Sequence, residues 1–335
     1  MKTKIIPFLL LSVIFLNGCR QQSYKETKLM LDTVCEITVI SSNKVKAEKA
    51  INEAFKEIER IDKLCGYAKG SEVSRVNENA GIAPVKTDRE LYDLIEESVR
   101  IADVTGGAFD ITVGPLVSLW GFDTVKPSPP SSSKIKRILP LVNYKNINLN
   151  KEKSTVYLTK PGMKIDLGGI AKKYAMRMAM RKLQENGIKK ALVNLGGDIQ
   201  IKGGGLDNQP WKIGVKHPRK NDELVTIFKY KDKVIVSSGD YERYFIHNGT
   251  RYYHIFDPHT GYPAKKGVIS ATVITDGSII ADVLSTAIFT LGVEKGMELI
   301  KKIPDTDVLI IKETKTGHEI ILSEGLKKQN LELKY

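Results

Sequence analysis

The chain is poor in the residues that mark the commoner chemistries. It has three cysteines, five histidines and two tryptophans among 335 residues. Cys35 and Cys65 are far apart in sequence with no histidine close by, so they lack metal-ligand spacing. They read as two small buried hydrophobes, and spacing gives no basis for a disulfide between them. No G-x-G-x-x-G fingerprint, Walker A loop or short tandem repeat is present, so the usual dinucleotide, P-loop and solenoid signatures are missing. Beyond the first eighteen residues no apolar run is long enough to cross a bilayer. Acid is in deficit: 39 Asp and Glu stand against 52 Lys and Arg, a formal charge of +13. The lysines are scattered rather than gathered in an arm, and no recognition motif accompanies them, so nucleic acid is not an expected partner. The charge reads either as a solvated basic surface or as attraction for polyanions such as phosphates and anionic lipid.

The front end is a processing segment. Lys2 and Lys4 form a positive start, Ile5 to Leu16 is apolar, and Leu16-Asn17-Gly18-Cys19 follows. This end resembles the lipobox of bacterial lipoproteins, in which the cysteine after the cut, here Cys19, becomes lipid-modified. Asn17 departs from the usual small residue, and an uncleaved signal anchor is the alternative. The expected organisation is therefore a signal peptide over 1–18, a polar tether over 19–27 and one domain over 28–335. The domain would be lipid-anchored to a bacterial membrane on its extracytoplasmic side.

Apolar content of 41% allows a sizeable core. The spacing predicts a strand over Met30–Ile40, a long amphipathic helix over Lys44–Leu64, a loop over Gly66–Asn77 and a second helix over Asp88–Val104. Strand-like residues follow Asp110, and Lys126–Ser133 reads as a surface loop. A hairpin is expected over Ile147–Leu158, and a β-rich middle from Lys190 to Thr275. Helices are expected over Gly277–Leu291 and Val293–Ile303, and closing strands near Asp307–Ile311 and Glu319–Leu322. Strands and helices mix without regular βαβ alternation, which argues α+β.

Three turns pair glycine with acid: Gly106-Gly107-Ala108-Phe109-Asp110, Asp166-Leu167-Gly168-Gly169 and Gly196-Gly197-Asp198. The second reads as strand, turn and then helix, with Ile170, Ala171, Tyr174, Ala175, Met178 and Leu183 on the apolar face. Lys172, Lys173, Arg177, Arg181 and Lys182 are expected opposite. Glycines entering a helix let a ligand approach bare backbone, and the unpaired N–H groups there suit a phosphate. Asp166 reads either as a plain N-cap or as an acceptor for a sugar hydroxyl or base edge. Tyr67 reads as a lid over core or as a ligand platform. Asp282 and Thr286 are neighbours at i and i+4, either a solvated helix edge or two hard oxygen donors for Mg²⁺. A backbone carbonyl from the Gly168–Gly169 turn would be a third. His254, near Asp257-Pro258, is either a structural histidine or a proton acceptor.

From Lys28 to Leu322 the chain resembles the ApbE-type FAD:protein FMN transferases. The matching pieces occur in the family's order: Met30 to Val39; Tyr67 with Ser71 to Asn77; Thr105 to Asp110 with Val113 to Leu116 and Leu119 to Phe122; Asp166 to Lys172; Asn194 to Asp198; Ser238 to Tyr241; His254 to Pro258 with Thr260 to Pro263; and Ala281-Asp282 with Ser285 to Ala287. Leu31-Asp32 and Lys173 depart from the family pattern. The resemblance implies a two-lobed α+β fold related to tunnelling-fold proteins, with FAD in a cleft between the lobes. It implies Mg²⁺ held by Asp282, Thr286 and the Gly169 carbonyl, and FAD contacts from Met30, Tyr67, Ala108, Phe109, Asp110, Asp166 and Lys172. The implied reaction passes FMN from FAD to a threonine of an acceptor protein, in an Asp-x-x-Thr-type segment often found on membrane redox subunits, and releases AMP. His254 is the candidate base or phosphate stabiliser. An FAD pyrophosphatase and a flavin-binding lipoprotein without chemistry are the competing readings.

Overall fold

A computed structural model describes residues 20–334 except 123, 221 and 278, and the side chains of 279–282 also lie outside the description. Cys19 and the expected signal segment are outside it. In chain order the strands are β1 (Gln22–Met30), β2 (Thr33–Ser41), β3 (Val85–Lys86), β4 (Ile147–Asn150), β5 (Thr155–Leu158), β6 (Ala191–Leu195), β7 (Asp198–Lys202), β8 (Trp211–Lys216), β9 (Leu224–Tyr230), β10 (Lys233–Gly239), β11 (Tyr244–His247), β12 (Thr250–Tyr253), β13 (Val268–Thr275), β14 (Thr306–Thr314) and β15 (Gly317–Leu322). The helices are α1 (Lys44–Cys65), α2 (Glu72–Glu78), α3 (Arg89–Val104), α4 (Gly114–Trp120), α5 (Ser132–Ile138), α6 (Gly168–Glu185), α7 (Ile279–Leu291), α8 (Val293–Ile300) and α9 (Glu324–Lys327).

Eight strands form one sheet in the order β1-β2-β6-β7-β10-β13-β14-β15, each neighbour antiparallel. β13 is buried along its whole length because this sheet is covered on both faces. The strands divide their side chains by period two. Val234 and Val236, Ala271 and Val273, and Val308 and Ile310 enter the larger core; Ile235, Ile274, Leu309 and Ile311 enter a smaller one. The larger core is filled by α1 (Ile51, Ala54, Ile58), α6 (Ala175, Ala179) and α7 (Val283, Ala287). The smaller core is covered by the β8–β9 ribbon through Ile213, Val215 and Phe228. A third, aromatic cluster gathers Leu116, Trp120, Ile135, Val142 and Phe256. The mixture of an eight-stranded antiparallel sheet with packed helices is the α+β fold that was expected.

Four local expectations are corrected. Gln22–Thr27, read as tether, belongs to β1, an edge strand paired with β2 along its length. Its pattern of half-buried and exposed positions left only a weak alternation to read. The single strand expected over Met30–Ile40 breaks at Leu31 and Asp32, whose φ values of 53° and 54° make a two-residue hairpin turn. The loop expected over Gly66–Asn77 contains α2, started by Ser71, whose side chain accepts from the Ser74 N–H. The strand-like residues after Asp110 form a 3₁₀ turn and then α4, with Pro115 in the helix's first turn.

Candidate active site

Helix α6 begins at Gly168, and its N-cap residue Leu167 supplies no side-chain bond. One residue earlier, Asp166 does the work. Its Oδ1 accepts the Gly168 N–H (2.7 Å), its Oδ2 accepts the Tyr67 hydroxyl (2.8 Å), and its own N–H donates to the Ile111 carbonyl (2.7 Å). The residues before it, expected as a strand end, belong to no strand; Asn77 of α2 holds them by exchanging hydrogen bonds with Ile165 (2.7 and 3.1 Å). Tyr67 is 54% exposed, so it covers no core. It stands beside the helix entrance, tied to the acid there.

The Gly106–Gly107 turn comes to the same entrance. Phe109 is buried, and a Cβ added to Gly169 would lie 3.1 Å from Phe109 Cε2, so the ring rests on bare helix backbone. Ala108 is buried beside it in sequence. Asp110 serves the fold itself. Its Oδ1 accepts from the Thr112 N–H and hydroxyl (2.7 and 2.6 Å), and its Oδ2 accepts from the Tyr144 N–H (2.9 Å). Burial pushes its carboxyl pKa up in spite of these bonds. The flavin contact implied for Asp110 therefore belongs to a carboxylate already committed to three internal donors.

One turn into α6, two lysines share one acid. Lys172 Nζ lies 3.9 Å and Lys173 Nζ 3.4 Å from Asp198 Oδ2. Lys173 was expected on the polar face, but its side chain is only 6% exposed and Asp198's 4%. Burial is tolerated because opposite charges meet there. Asp198 Oδ1 also accepts the Ser237 N–H (3.3 Å). Burial lowers the Lys172 pKa, Asp198 opposes the shift and Lys173 adds to it.

The Gly196–Gly197 turn brings Asp198 here. Both glycines have positive φ, and a Cβ on Gly196 would fall 2.3 Å from Thr33 Oγ1. The Gly196 N–H donates to Val34 (2.9 Å), which fastens this turn to the end of the β1–β2 hairpin, where half-buried Met30 lies.

His254 follows β12. Its Nδ1 lies 3.2 Å from the Arg243 carbonyl, which can only accept, so Nδ1 carries the proton and the neutral ring keeps a lone pair on Nε2. Burial pushes its pKa down to about 4; the cations Arg243, Lys172 and Lys173 add to that, and the carbonyl bond opposes it. At neutral pH the imidazole is uncharged, among positive groups.

Thr286 lies on α7, which packs against both α6 and β10. Its hydroxyl shares a hydrogen bond with Ser238 Oγ (3.1 Å), and Ser238 Oγ shares another with the buried Ser285 (2.9 Å). Asp282 stands in the same helix, one turn before Thr286, with its side chain outside the described residues. A hydroxyl from α7 and main-chain carbonyls from the first turn of α6 are the hard oxygen donors that suit Mg²⁺.

α6 thus gathers the Gly169 entrance with Tyr67, Phe109 and Asp166, the lysine pair with Asp198, the His254 imidazole and the helix carrying Thr286. Sequence reading had left Asp198 and Ser238 without a role, although both stood in recognised glycine motifs. Two cavities lie elsewhere. One of about 530 Å³ is lined by Arg60, Glu90, Tyr174 and Arg181, and one of about 1190 Å³ runs along Lys212, Leu224, Ile227 and Leu331. Neither includes a site residue.

Fold and site together define an α+β protein whose glycine-opened helix start and neighbouring lysines suit a phosphorylated ligand. The chain belongs to the ApbE family, whose profile matches residues 31–310. It is 32% identical over 308 residues to the FAD:protein FMN transferase of Treponema pallidum, covering 87% of this chain and 85% of the relative. It is 33% identical over 296 residues to that of Haemophilus influenzae, covering 86% and 85%. Among solved structures it resembles the ApbE protein of Thermotoga maritima (TM-score 0.84, 36% identity, 92% of this chain and 99% of that one). It also resembles the flavin transferase ApbE of Vibrio cholerae (TM-score 0.80, 28% identity, 92% and 99%).

Proposed function

We propose that this protein transfers FMN from FAD to a threonine of an acceptor protein, with Mg²⁺, and releases AMP. The observation that carries the reading is the meeting, around the first two turns of α6, of a bare glycine backbone, a lysine–acid cluster and an imidazole with its Nε2 lone pair available. The helix start and Lys172 suit the diphosphate. Tyr67, held by Asp166, flanks the helix entrance and crowds the approach of water. Half-buried Met30 would supply apolar surface for the flavin, while Ala108 and Phe109, buried beside Gly169, shape the helix entrance.

The Thr286 hydroxyl, the Asp282 carboxylate and the Gly169 carbonyl are oxygen donors of the kind that Mg²⁺ takes, and would hold it. The chemistry it would supply is charge neutralisation on the diphosphate. The acceptor hydroxyl oxygen forms a bond to the FMN-side phosphorus, and the bond from that phosphorus to the bridging oxygen breaks. AMP leaves with the bridging oxygen and its electron pair. His254 Nε2 takes the hydroxyl proton. An imidazole with a pKa near 4 is a weak base alone, but an anionic dinucleotide among Lys172, Lys173 and Arg243 offsets the cations that depress it.

The test incubates the full chain in detergent with FAD and Mg²⁺, with and without a carrier domain bearing an Asp-x-x-Thr segment. AMP released only with the acceptor, together with FMN mass added to its threonine, is the expected result. AMP released equally without acceptor means a hydrolase, and bound FAD with no AMP in either tube means a carrier. We further propose that Cys19 carries the lipid anchor and holds the protein to an extracytoplasmic membrane face, on the strength of the sequence before it. Mass spectrometry of the membrane-extracted protein should then find residue 19 as its amino terminus with lipid mass on that cysteine, and an unmodified chain that keeps residues 1–18 refutes the anchor.

A further inference from the structure

The β11–β12 hairpin stands apart from the large sheet and pairs only with itself among the described residues. Its two faces differ. Phe245 and Tyr252 stack on each other (5.3 Å between centroids) and meet Trp120 at a tilt, so that face is half-buried against the aromatic cluster. The opposite face is buried at its foot, where Tyr253 packs on Phe289 (5.4 Å between centroids), and open toward the turn, where Tyr244 (44% exposed) and Ile246 (62% exposed) point outward with the Arg251 guanidinium 4.1 Å from the Tyr244 ring centroid. Asn248 and Gly249, at φ 48° and 74°, close the hairpin with a turn that matches strand twist, so the face is held in one shape. Large apolar side chains beside unpaired strand edges are what proteins avoid exposing unless another chain uses them.

Position and charge name the user. The hairpin is fastened to the imidazole: the His254 N–H (3.1 Å) and Nδ1 (3.2 Å) both meet the Arg243 carbonyl at the foot of β11. A chain bringing a hydroxyl to Nε2 therefore runs close to this ribbon. Arg243, Lys265 and Lys266 are exposed around it and Arg251 is half-buried, against one exposed acid, Glu242. The nearby acids Asp240 and Asp257 are buried: Asp240 is held by the Arg219 guanidinium at 2.7 Å, with Arg251 at a looser 3.8 Å, and Asp257 accepts the His259 N–H.

We propose that the outer face of this hairpin, formed by Tyr244, Ile246 and Arg251, docks the acceptor protein through an extended, acid-bearing segment next to its threonine. This rests on the transfer reading and adds to it the surface that selects the partner. The test measures transfer at saturating FAD while the Asp-x-x-Thr carrier domain is varied, for wild type, Ile246→Asp and Arg251→Glu, with FAD affinity titrated separately and folding checked by thermal unfolding. The expected result is an acceptor KM raised about tenfold or more in each variant, with kcat and FAD affinity within about twofold of wild type. A carrier whose segment acid is changed to Asn should lose discrimination between wild type and Arg251→Glu. Unchanged acceptor KM in folded variants, or a loss confined to kcat, overturns the docking proposal while leaving transfer standing. A wild-type protein that binds FAD but transfers nothing overturns the transfer reading, and this proposal with it.

Discussion

Removing the acid from the buried Lys172–Lys173–Asp198 cluster should be far more costly than removing one lysine. Lys173 and Asp198 are 6% and 4% exposed, with 3.4 Å between Nζ and Oδ2. At an effective dielectric of 20, that separation is worth about 5 kcal/mol of attraction, offset by a desolvation penalty of several kcal/mol per ion. The intact pair is therefore close to neutral for stability. Asp198→Ala leaves Lys173 buried with no counter-charge and Lys172 beside it, and should cost about 3–5 kcal/mol. Lys173→Met leaves Asp198 with Lys172 at 3.9 Å and the Ser237 N–H at 3.3 Å, so it should cost only about 1–2 kcal/mol. The double variant Lys173→Met/Asp198→Leu should regain most of the loss, since both charges are gone. Urea unfolding of the three variants, compared by midpoint at constant slope, gives the order directly. Asp198→Ala proving no more destabilising than Lys173→Met would refute the reasoning.

Three other outcomes follow from the site. The folded pKa of His254, about 4, lies below the ordinary histidine value near 6.5, so between those values the unfolded chain binds more protons. Stability from this group is full above about pH 6.5 and is lost as pH falls toward 4; urea midpoints of wild type against His254→Gln across that window should show a shallower slope in the variant. Gly169→Ala gains helix propensity of about 1 kcal/mol, but its methyl meets Phe109 at 3.1 Å. Thermal stability should therefore change little while the KM for FAD rises about tenfold, and an unchanged KM removes Gly169 from the ligand floor. Asp282→Ala should abolish Mg²⁺-dependent turnover, and Thr286→Val should shift the Mg²⁺ concentration needed for half-maximal rate upward. Turnover unaltered in Asp282→Ala rejects the metal assignment.

Periodic elements were legible because one residue's neighbours along the chain carry the signal. α1, α3 and α6, the β4–β5 hairpin and the strands β6, β8, β9, β10 and β13 stand close to where apolar spacing put them. β1 was missed because an edge strand is stabilised by backbone pairing to β2, and its side chains alternate only between half-buried and exposed. α2 was missed because a short helix between glycines has too few positions to show a period. Lys173 was misplaced for a different reason. Helical spacing says which direction a side chain points, and a lysine is assumed to point at water; only Asp198, arriving from β7, makes its burial tolerable.

What the sequence determined by itself is the local chemistry: glycines that open a helix start to anions, a signal-like front end, an Asp and a Thr one helical turn apart, and motif order enough to place the chain beside the flavin transferases. Those depend on residue type and short spacing. What only the tertiary structure decided is which of these pieces face one another. Phe109 resting on Gly169, Lys173 meeting Asp198, Thr286 sharing a hydrogen bond with Ser238, and His254 holding its Nδ1 proton against Arg243 join positions distant along the chain. No local pattern encodes such pairs, because they are set by the sheet order and by the way α6 packs between α1 and α7.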